Sequence, residues 1–509
     1  MKMKILNKKV NLTDVYIYLL SFIVICIITS RYFPIEPDVA NSPIVWRELN
    51  EHGFSAFKNW RPTIDNWYFT VYPLNFLLFF IFDDDGKVPL ILATALFSFT
   101  IAVTSHSIAR KITGKSDCYK YLLIAALSFT PMFTNTFGFA SHPFSHNSTN
   151  MLGMLCVLIS LNSVCLEKKY LTIVSGVLST IASISDPWFL ASYFIPIAIA
   201  YAIASFRNRN ITLQTCIYFT FLAITMSKII PLTLGLPVHS FDIIPLELWA
   251  NNAYWTVLII GRSLNLFFIE SDIAYAASFL VWATVFIYSS VHCFNEGKLK
   301  RFLATFATMS MCGIISSYII SYNGPSFISG RFFLNVTCVT LLMISVIGSM
   351  RIKKVAGVLI IIFIFSSIYS YSLRDKPLHD EEKTARDYIN FLKRNDLSFG
   401  YGSFWRNANT VTWLSSGDIH VTPVFFNNND GTVDFNRSRI QTSDLWRTDK
   451  FRSTAPTRQF VSIIEYGSID GCHNKELCID GVSRQIGEPD EILHHGEYTI
   501  LVYNKKIVE

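Results

Sequence analysis

The chain has 509 residues, of which 51% are hydrophobic and only 16% are charged, and its mean hydropathy is +0.36. This composition is too apolar for a soluble protein of this length and indicates a protein that folds within a lipid bilayer. The 43 Lys and Arg exceed the 37 Asp and Glu, giving a net charge of +6. Because these cations form short groups between apolar stretches, they do not build the basic face that binding to a nucleic acid requires.

Eleven apolar stretches are predicted to cross the bilayer, whose hydrocarbon core is about 30 Å thick. They lie near residues 12–32, 88–108, 120–139, 149–166, 170–187, 188–206, 211–235, 273–292, 303–321, 332–350 and 355–373. The basic segment 1–9 keeps the N-terminus in the cytoplasm, because Lys and Arg resist translocation. No small-residue cleavage site follows the first stretch, which is therefore interpreted as a retained anchor.

The apolar stretch 66–82 tests this topology. Counting it as a span would invert every later loop and export the basic pair at 110–111. We therefore interpret it as a juxtamembrane or re-entrant helix.

Eleven crossings that start inside end outside, so residues 374–509 are predicted to form a periplasmic domain beside a membrane domain at 1–373. An amphipathic helix is predicted over 380–393, and strands at 398–402 and 418–425 flank a helix at 408–414. Further strands are predicted near 459–465 and 497–504. The sequence thus predicts an α-helical polytopic membrane protein with a small C-terminal α/β domain.

The ten cysteines show no metal-ligand spacing. Eight lie in or beside predicted spans, where a thiol behaves as a small apolar side chain. Cys472 and Cys478 lie close together in the C-terminal domain, and in an oxidising periplasm such a pair predicts a disulfide.

Two carboxylates, in the sequence Glu36-Pro37-Asp38, follow the first span and open the loop 33–87. A carboxylate near lipid can act as a general base toward an acceptor hydroxyl. The pair can also hold a divalent cation, or be merely solvated. Asp65 adds a third acid, which is also a candidate for catalysis, and Arg61 adds a cation to the same loop.

The arrangement of this loop resembles that of the GT-C class of membrane glycosyltransferases. The acid pair follows the first span, a short helix ends at Gly53, and an aromatic, proline-containing segment lies at 72–74. Within the class, the sequence is most similar to the phage-borne, serotype-converting O-antigen glucosyltransferases of enteric bacteria. Further matches lie at 185–189, 329–333 and 400–417.

The resemblance implies a multi-pass enzyme of the bacterial inner membrane, in contact with membrane lipids. Such enzymes take a sugar, here glucose, from undecaprenyl phosphate and pass it to an O-antigen sugar in the periplasm. Asp38 or Glu36 would be the base. The resemblance leaves open the acceptor sugar and whether the anomeric configuration is inverted or retained.

A lipid-phosphate donor requires a cation at the outer membrane boundary, because the departing phosphate gains negative charge. Arg331 opens the tenth predicted span and is the first candidate. Arg262, in the long loop 236–272, is the second, and Arg61 is the third. Each of these arginines can instead pair with lipid head groups.

Sugar hydroxyls and phosphate oxygens need polar partners, and sugar rings stack on aromatic side chains. The remaining predicted loops and the C-terminal domain offer both. The candidates are His142, His146 and Asp186 near the membrane edge, and Trp405, Trp413 and Trp446 as stacking platforms in the C-terminal domain. Interface solvation is the alternative for the histidines, and helix capping is the alternative for Asp186.

Two other functions remain open. An O-antigen polymerase or ligase would use the same scaffold, although the predicted outer loops are poor in the arginines typical of such enzymes. A flippase or transporter is the second alternative, but the spans lack the set of acids that proton coupling needs. No Gly-rich phosphate loop is present, which argues against use of ATP or a nucleotide sugar.

Overall fold

The structure, a computed structural model, describes residues 12–114, 117–129, 142–207, 212–236, 238, 242–347, 350–373 and 379–508. The basic segment 1–9, residues 130–139 of the third predicted span and the predicted start of the C-terminal domain at 374 lie outside these ranges.

Most of the described chain is helical. The α-helices, in chain order, are α1 (Leu12–Arg31), α2 (Asn41–His52), α3 (Ser55–Asn59), α4 (Tyr72–Phe82), α5 (Lys87–Thr113), α6 (Cys118–Ser128), α7 (Asn147–Leu166), α8 (Lys169–Ser185), α9 (Ile195–Arg207), α10 (Thr212–Met226), α11 (Ile229–Leu234), α12 (Trp249–Ser263), α13 (Asp272–Asn295), α14 (Gly297–Ser321), α15 (Leu334–Ser345), α16 (Met350–Ser372), α17 (His379–Arg394), α18 (Asn409–Leu414), α19 (Asp449–Thr454) and α20 (Lys475–Ile486). A π-helix, Leu190–Phe194, precedes α9, and short 3-10 helices span Leu246–Leu248, Phe327–Phe333 and Asp444–Arg447.

Seven helical segments within the described residues are long and apolar enough to cross a membrane. They are Leu12–Arg31, Lys87–Thr113, Asn147–Leu166, Asp272–Asn295, Gly297–Ser321, Phe327–Ser345 and Ile352–Ser372. Shorter apolar helices, among them α6, α8 and α10, lie within the other four predicted stretches. The polytopic helical fold predicted from the sequence is therefore confirmed.

The strands belong mostly to the C-terminal domain. They are β1 (Trp60–Arg61), β2 (Phe399–Gly402), β3 (His420–Pro423), β4 (Phe425–Phe426), β5 (Val433–Asp434), β6 (Thr442–Ser443), β7 (Gln459–Ile463), β8 (Glu491–His495) and β9 (Tyr498–Tyr503). Five form one mixed sheet in the order β3-β2-β7-β9-β8, with β2 parallel to both its neighbours and β9 antiparallel to both of its own. The predicted helix α17, the predicted β2-α18-β3 succession and the two later strands are confirmed.

Helix α12 and strand β8 are among the parts of the fold that were not predicted. Helix α12 lies in the stretch 236–272, which the sequence analysis treated as a loop, and its apolar residues alternate with Asn251, Asn252 and Arg262. The edge strand β8 carries charged and histidine side chains, which hide the period of a strand.

The chain divides into two compact units. Unit 1 comprises residues 1–32, 91–233 and 238–375, and unit 2 comprises residues 33–90, 234–237 and 376–509. The loop that carries the acid pair thus folds with the C-terminal domain.

Hydroxyl pairs join the helices of unit 1. Ser163 on α7 lies 2.6 Å from Thr172 on α8, measured between hydroxyl oxygens, and Ser179 on α8 lies 2.8 Å from the hydroxyl of Tyr218 on α10. All four side chains are buried. Away from water such hydroxyls satisfy one another, which fixes the rotation of neighbouring apolar helices.

Helix α12 packs closely on α13 because residue 261 is a glycine. A Cβ at Gly261 would collide with the backbone oxygen of Tyr275. The close approach fixes the position of the neighbouring residue, Arg262.

In unit 2 the loop is joined to the C-terminal domain by backbone pairing. Strand β1 is antiparallel to β6, with Trp60 opposite Ser443 and Arg61 opposite Thr442. The Nε of Arg61 also lies 2.6 Å from Asp444 Oδ1.

A partly buried arginine makes a second connection in unit 2. Arg47 on α2 forms a bidentate ion pair with Asp85, at 2.5 and 2.7 Å. Its Nη1 and Nη2 donate to the backbone oxygens of Thr412 and Trp413, at 2.9 and 3.1 Å. Since these carbonyls lie at the C-terminal end of α18, the guanidinium caps that helix with a positive charge.

Candidate functional site

The two carboxylates after α1 lie side by side on a tight turn. The backbone N–H of Val39 donates to Glu36 O at 3.1 Å, and that of Asn41 donates to Asp38 O at 3.3 Å. One carboxylate oxygen of each acid lies within 4.8 Å of the other, and both side chains are half-buried. The turn therefore presents two acids at one place.

Asp38 is held by a residue far away in the sequence. The side-chain Nε2 of Gln441 donates a 2.9 Å hydrogen bond to Asp38 Oδ1. Gln441 is 5% exposed and its φ is +61°, in the left-handed region. An amide donor stabilises the ionised form of a carboxyl group, which is the form that accepts a proton.

A buried arginine adds positive charge beside this carboxylate. Arg439 Nε lies 3.0 Å from Asp470 Oδ2, and its guanidinium carbon lies 3.6 Å from the ring centre of Phe404 and 5.6 Å from that of Trp405. Burial lowers the pKa of Arg439, and the negative charges of Asp470 and Asp38 oppose this shift. The half-buried Trp405 thus lies beside Arg439. We call Glu36, Asp38, Arg439 and Gln441 the acid cluster.

Arg61 and Asp65 have other described contacts. Arg61 pairs with Asp444, with about half of its side chain exposed. The backbone oxygen of Asp65 accepts a 2.7 Å hydrogen bond from Thr63 Oγ1, and its side chain is half-buried. Their predicted roles in donor binding and catalysis stay predictions.

In unit 1, the 3-10 helix Phe327–Phe333 contains Arg331 and contacts Arg262, the first and second candidates for binding phosphate. The guanidinium carbon of Arg262 lies 4.6 Å from the ring centre of Phe327, and that of Arg331 lies 5.1 Å from the ring centre of Phe332. We call these four residues the arginine cluster.

The two arginines differ in charge balance. Arg262 Nη2 lies 3.0 Å from Glu270 Oε1, whereas Arg331 has no ion pair among the described residues. The Nε of each is buried and lacks a hydrogen-bond partner within the described part of the chain. A buried donor without an acceptor is costly, so each is suited to bind an anionic oxygen.

A buried histidine–aspartate pair lies beside the arginine cluster. His146 Nδ1 lies 2.6 Å from Asp186 Oδ2, and the two residues are 3% and 0% exposed. The hydroxyl of Thr149 and the backbone N–H of Trp188 donate to the same carboxylate. The His146 ring centre is 4.8 Å from that of Phe332. The structure therefore joins two predicted candidates, His146 and Asp186, forty residues apart in sequence.

His142 is 2% exposed, and its Nδ1 accepts a 3.1 Å hydrogen bond from the backbone N–H of Phe144. This bond closes the turn that leads to His146. Substrate contact by His142 stays a prediction.

Comparison with known proteins rests on structure. No protein-family model and no curated protein matches the sequence. The structure is similar to that of ArnT from Cupriavidus metallidurans bound to undecaprenyl phosphate, with a TM-score of 0.56 and 9% identity over 96% of this chain and 98% of ArnT. The chain has the GT-C fold.

Two other solved structures are similar at lower TM-scores. The Archaeoglobus fulgidus oligosaccharyltransferase tethered with an acceptor peptide has a TM-score of 0.44 and 12% identity over 87% of this chain and 69% of its own. The mycobacterial arabinofuranosyltransferase AftD has a TM-score of 0.45 and 12% identity over 96% of this chain and 40% of its own.

Two tryptophans predicted to stack on sugars are buried in this GT-C fold. Trp413 and Trp446 are 2% and 3% exposed, and their indole N–H groups donate to Asp85 O and to Glu48 Oε1. Because their faces are covered by protein, the prediction that they are stacking platforms is wrong.

The acid cluster of this GT-C fold contains two residues that the sequence analysis missed. Arg439 and Gln441 lie about 400 residues from Asp38. The only local signal is the polar run from Asn436 to Ser443, interrupted by Ile440.

The fold also carries a disulfide between Cys472 and Cys478.

Proposed function

We propose that this protein transfers glucose from undecaprenyl-phosphate-glucose to a sugar of the lipopolysaccharide O-antigen. The observation that carries the proposal is the similarity, over 96% of the chain, to ArnT bound to undecaprenyl phosphate. The choice of glucose and of O-antigen rests on the resemblance of the motifs at 185–189, 329–333 and 400–417 to serotype-converting glucosyltransferases.

The arginine cluster binds the phosphate of the donor. As the bond between the anomeric carbon and the phosphate oxygen breaks, the lipid phosphate becomes a monoester and gains negative charge. Arg331 neutralises this charge, since its buried Nε has no acceptor among the described residues and no described carboxylate offsets its charge. Arg262, already paired with Glu270, contributes less.

Asp38 is the general base. It takes the proton of the acceptor hydroxyl as the acceptor oxygen bonds to the anomeric carbon. Gln441 and Arg439 support this role because an amide donor and a nearby cation favour the carboxylate. Glu36 places a second carboxylate beside Asp38.

The reaction takes place on the periplasmic face of the bacterial inner membrane in this proposal. The N-terminus is cytoplasmic, and unit 2 is exposed to the periplasm, where polyprenyl-linked sugars meet O-antigen chains. His146, Asp186 and Trp405 contact donor or acceptor sugars. Reporter fusions after residue 379 test the orientation, and a cytoplasmic signal contradicts it.

Reconstitution tests the reaction. The purified full chain is placed in liposomes with undecaprenyl-phosphate-glucose and lipid-linked O-antigen. It is expected to add one hexose residue, about 162 Da, to each modified repeat, and mass spectrometry of the O-antigen measures this increase. Vesicles without donor should show no movement of O-antigen across the bilayer. Transport without transfer would favour a flippase, and growth of the chain by whole repeats would favour a polymerase.

A further inference from the structure

The backbone at Gln441 is held in a conformation that glutamine rarely adopts. Its φ of +61° costs an L-residue other than glycine roughly 1–2 kcal/mol. The backbone N–H donates to Arg61 O at 2.5 Å, and the backbone oxygen accepts from Asn409 Nδ2 at 2.9 Å. Two anchors therefore hold a strained residue in place, although glycine would fit the backbone better.

The side chain explains why a glutamine is useful there. Its Nε2 reaches Asp38 Oδ1 at 2.9 Å, and a carboxylate accepts only from the nitrogen end of an amide. The contact therefore fixes which way the amide points.

The oxygen end of the Gln441 amide lacks a hydrogen-bond donor. This atom, Oε1, is buried, and none of the residues described donates to it. Such an atom costs about 1–3 kcal/mol unless a donor reaches it. An acceptor sugar at Asp38 offers hydroxyl donors next to this oxygen.

The neighbouring arginine is a poorer candidate for orienting Asp38. Arg439 is tied to Asp470 by an ion pair, and Asp470 also accepts from the backbone N–H of Phe404 and from Ser468 Oγ. The contact of the Arg439 guanidinium with the ring of Phe404 further restricts the arginine side chain. Arg439 thus supplies a fixed charge, whereas Gln441 makes the direct hydrogen bond.

We infer that Gln441 is a positioning residue, which orients the Asp38 carboxylate toward the acceptor hydroxyl. The inference rests on the proposed function, in which Asp38 is the base. The amide holds one carboxylate oxygen and thereby fixes the orientation of the whole carboxylate group. Since proton transfer needs a hydrogen-bonded geometry, loss of the amide slows the chemical step and leaves donor binding intact.

Three substitutions separate this role from support of the fold. Gln441→Met keeps the size of the side chain and removes the donor, and Gln441→Glu replaces the donor with a carboxylate that repels Asp38. Gln441→Gly removes the side chain but adopts the positive φ without strain.

The expected result is that kcat falls without a matching fall in melting temperature. All three variants lose about 10-fold to 100-fold in kcat, the range of one hydrogen bond to a charged group, with donor KM unchanged. The Glu variant falls below the Met variant. The Gly variant has a melting temperature at or above that of the Met variant, yet its kcat stays low.

Gln459→Met is the matched control. Gln459 is 1% exposed in the same unit, its Nε2 donates to Pro456 O, and its Oε1 accepts from the backbone N–H of Ile507. Its substitution is expected to lower the melting temperature and change kcat less than twofold. An equal fall of kcat in the control, or a kcat within twofold of the wild type in the Met and Gly variants, would overturn the inference.

A structural readout separates this inference from the proposed function. If the wild-type protein does not transfer glucose, the proposed function is wrong, but the inference about Gln441 is still tested by structure. Cryo-electron microscopy of the full chain with a bound Fab then compares wild type with Gln441→Gly. A displaced or multiply oriented Asp38 side chain, with the Arg439–Asp470 pair intact, supports the positioning role. An unmoved Asp38 refutes it.

Discussion

The indole Nε1 of Trp446 donates a 2.8 Å hydrogen bond to the buried carboxyl group of Glu48. Trp446 comes from the C-terminal domain and Glu48 from helix α2, which begins three residues after Asp38. Burial raises the pKa of Glu48, and the hydrogen bonds from Trp446 and Ser443 and the charge of His52 oppose the shift. This contact predicts how the stability of unit 2 depends on pH.

Glu48→Gln is expected to stabilise the protein at neutral pH, by a few degrees in melting temperature. With a raised folded-state pKa, the group stabilises the fold fully below its unfolded-state pKa, and this stabilisation is lost as pH rises through the folded-state pKa. The neutral amide keeps an acceptor for Trp446 and avoids the buried charge. The advantage should vanish toward pH 4. Glu51→Gln, whose side chain is 71% exposed on the same helix, is the control and should show no such dependence.

Removing the proposed base should stop glucosylation. Asp38→Asn is expected to lower kcat by about 10²-fold to 10⁴-fold, the usual contribution of a general base, and Glu36→Gln by less. Mass spectrometry of O-antigen from cells with equal protein levels gives the result. Asp84→Asn, which changes an exposed acid of the same loop, serves as the control. Full glucosylation in the Asp38 and Glu36 single and double variants would defeat the assignment.

The two arginines of the arginine cluster should contribute unequally to kcat/KM for the donor. Arg331→Met is expected to lower kcat/KM for the donor by about 10²-fold to 10³-fold, as loss of an electrostatic contact to developing charge does. Arg262→Met should cost less, because Glu270 already offsets its charge. Inhibition by added undecaprenyl phosphate measures product binding in the same series. Equal effects of both substitutions would contradict this ranking.

Chelation distinguishes the two uses of the acid pair. If Asp38 acts as a base without a cation, transfer should persist within twofold after dialysis against EDTA. Loss of transfer that Mg²⁺ or Mn²⁺ restores would instead assign the pair to a cation with oxygen ligands.

Arg47→Met should destabilise unit 2 by about 2–3 kcal/mol, because it leaves the mostly buried carboxylate of Asp85 unpaired and uncaps α18. Thermal melting of the full chain in detergent measures the effect. Arg61→Met breaks an ion pair that is 52% and 39% exposed on its two sides, and it should cost less than about 1 kcal/mol. The reverse order would show that exposure does not govern these pairs.

Local patterns account for most of the helices and strands that the sequence analysis predicted. Apolar runs of bilayer length identified the helices of unit 1, and short β-rich segments identified β2, β3, β7 and β9. Helix α12 was missed because its polar residues, including Asn252 and Arg262, interrupt the apolar run. Asn252 is nevertheless buried, since its amide donates to the backbone oxygens of Ile319 and Tyr322.

The sequence by itself determined a helical membrane protein with a small α/β domain, because bilayer length and side-chain period are properties of short segments. It also singled out Glu36, Asp38, Arg331, His146 and Asp186, whose chemistry is visible without a fold. Only the tertiary structure decided that Gln441 holds Asp38, that Asp186 holds His146 and that Trp413 and Trp446 are buried. Such contacts join residues 40 to 403 positions apart, and no local pattern encodes them.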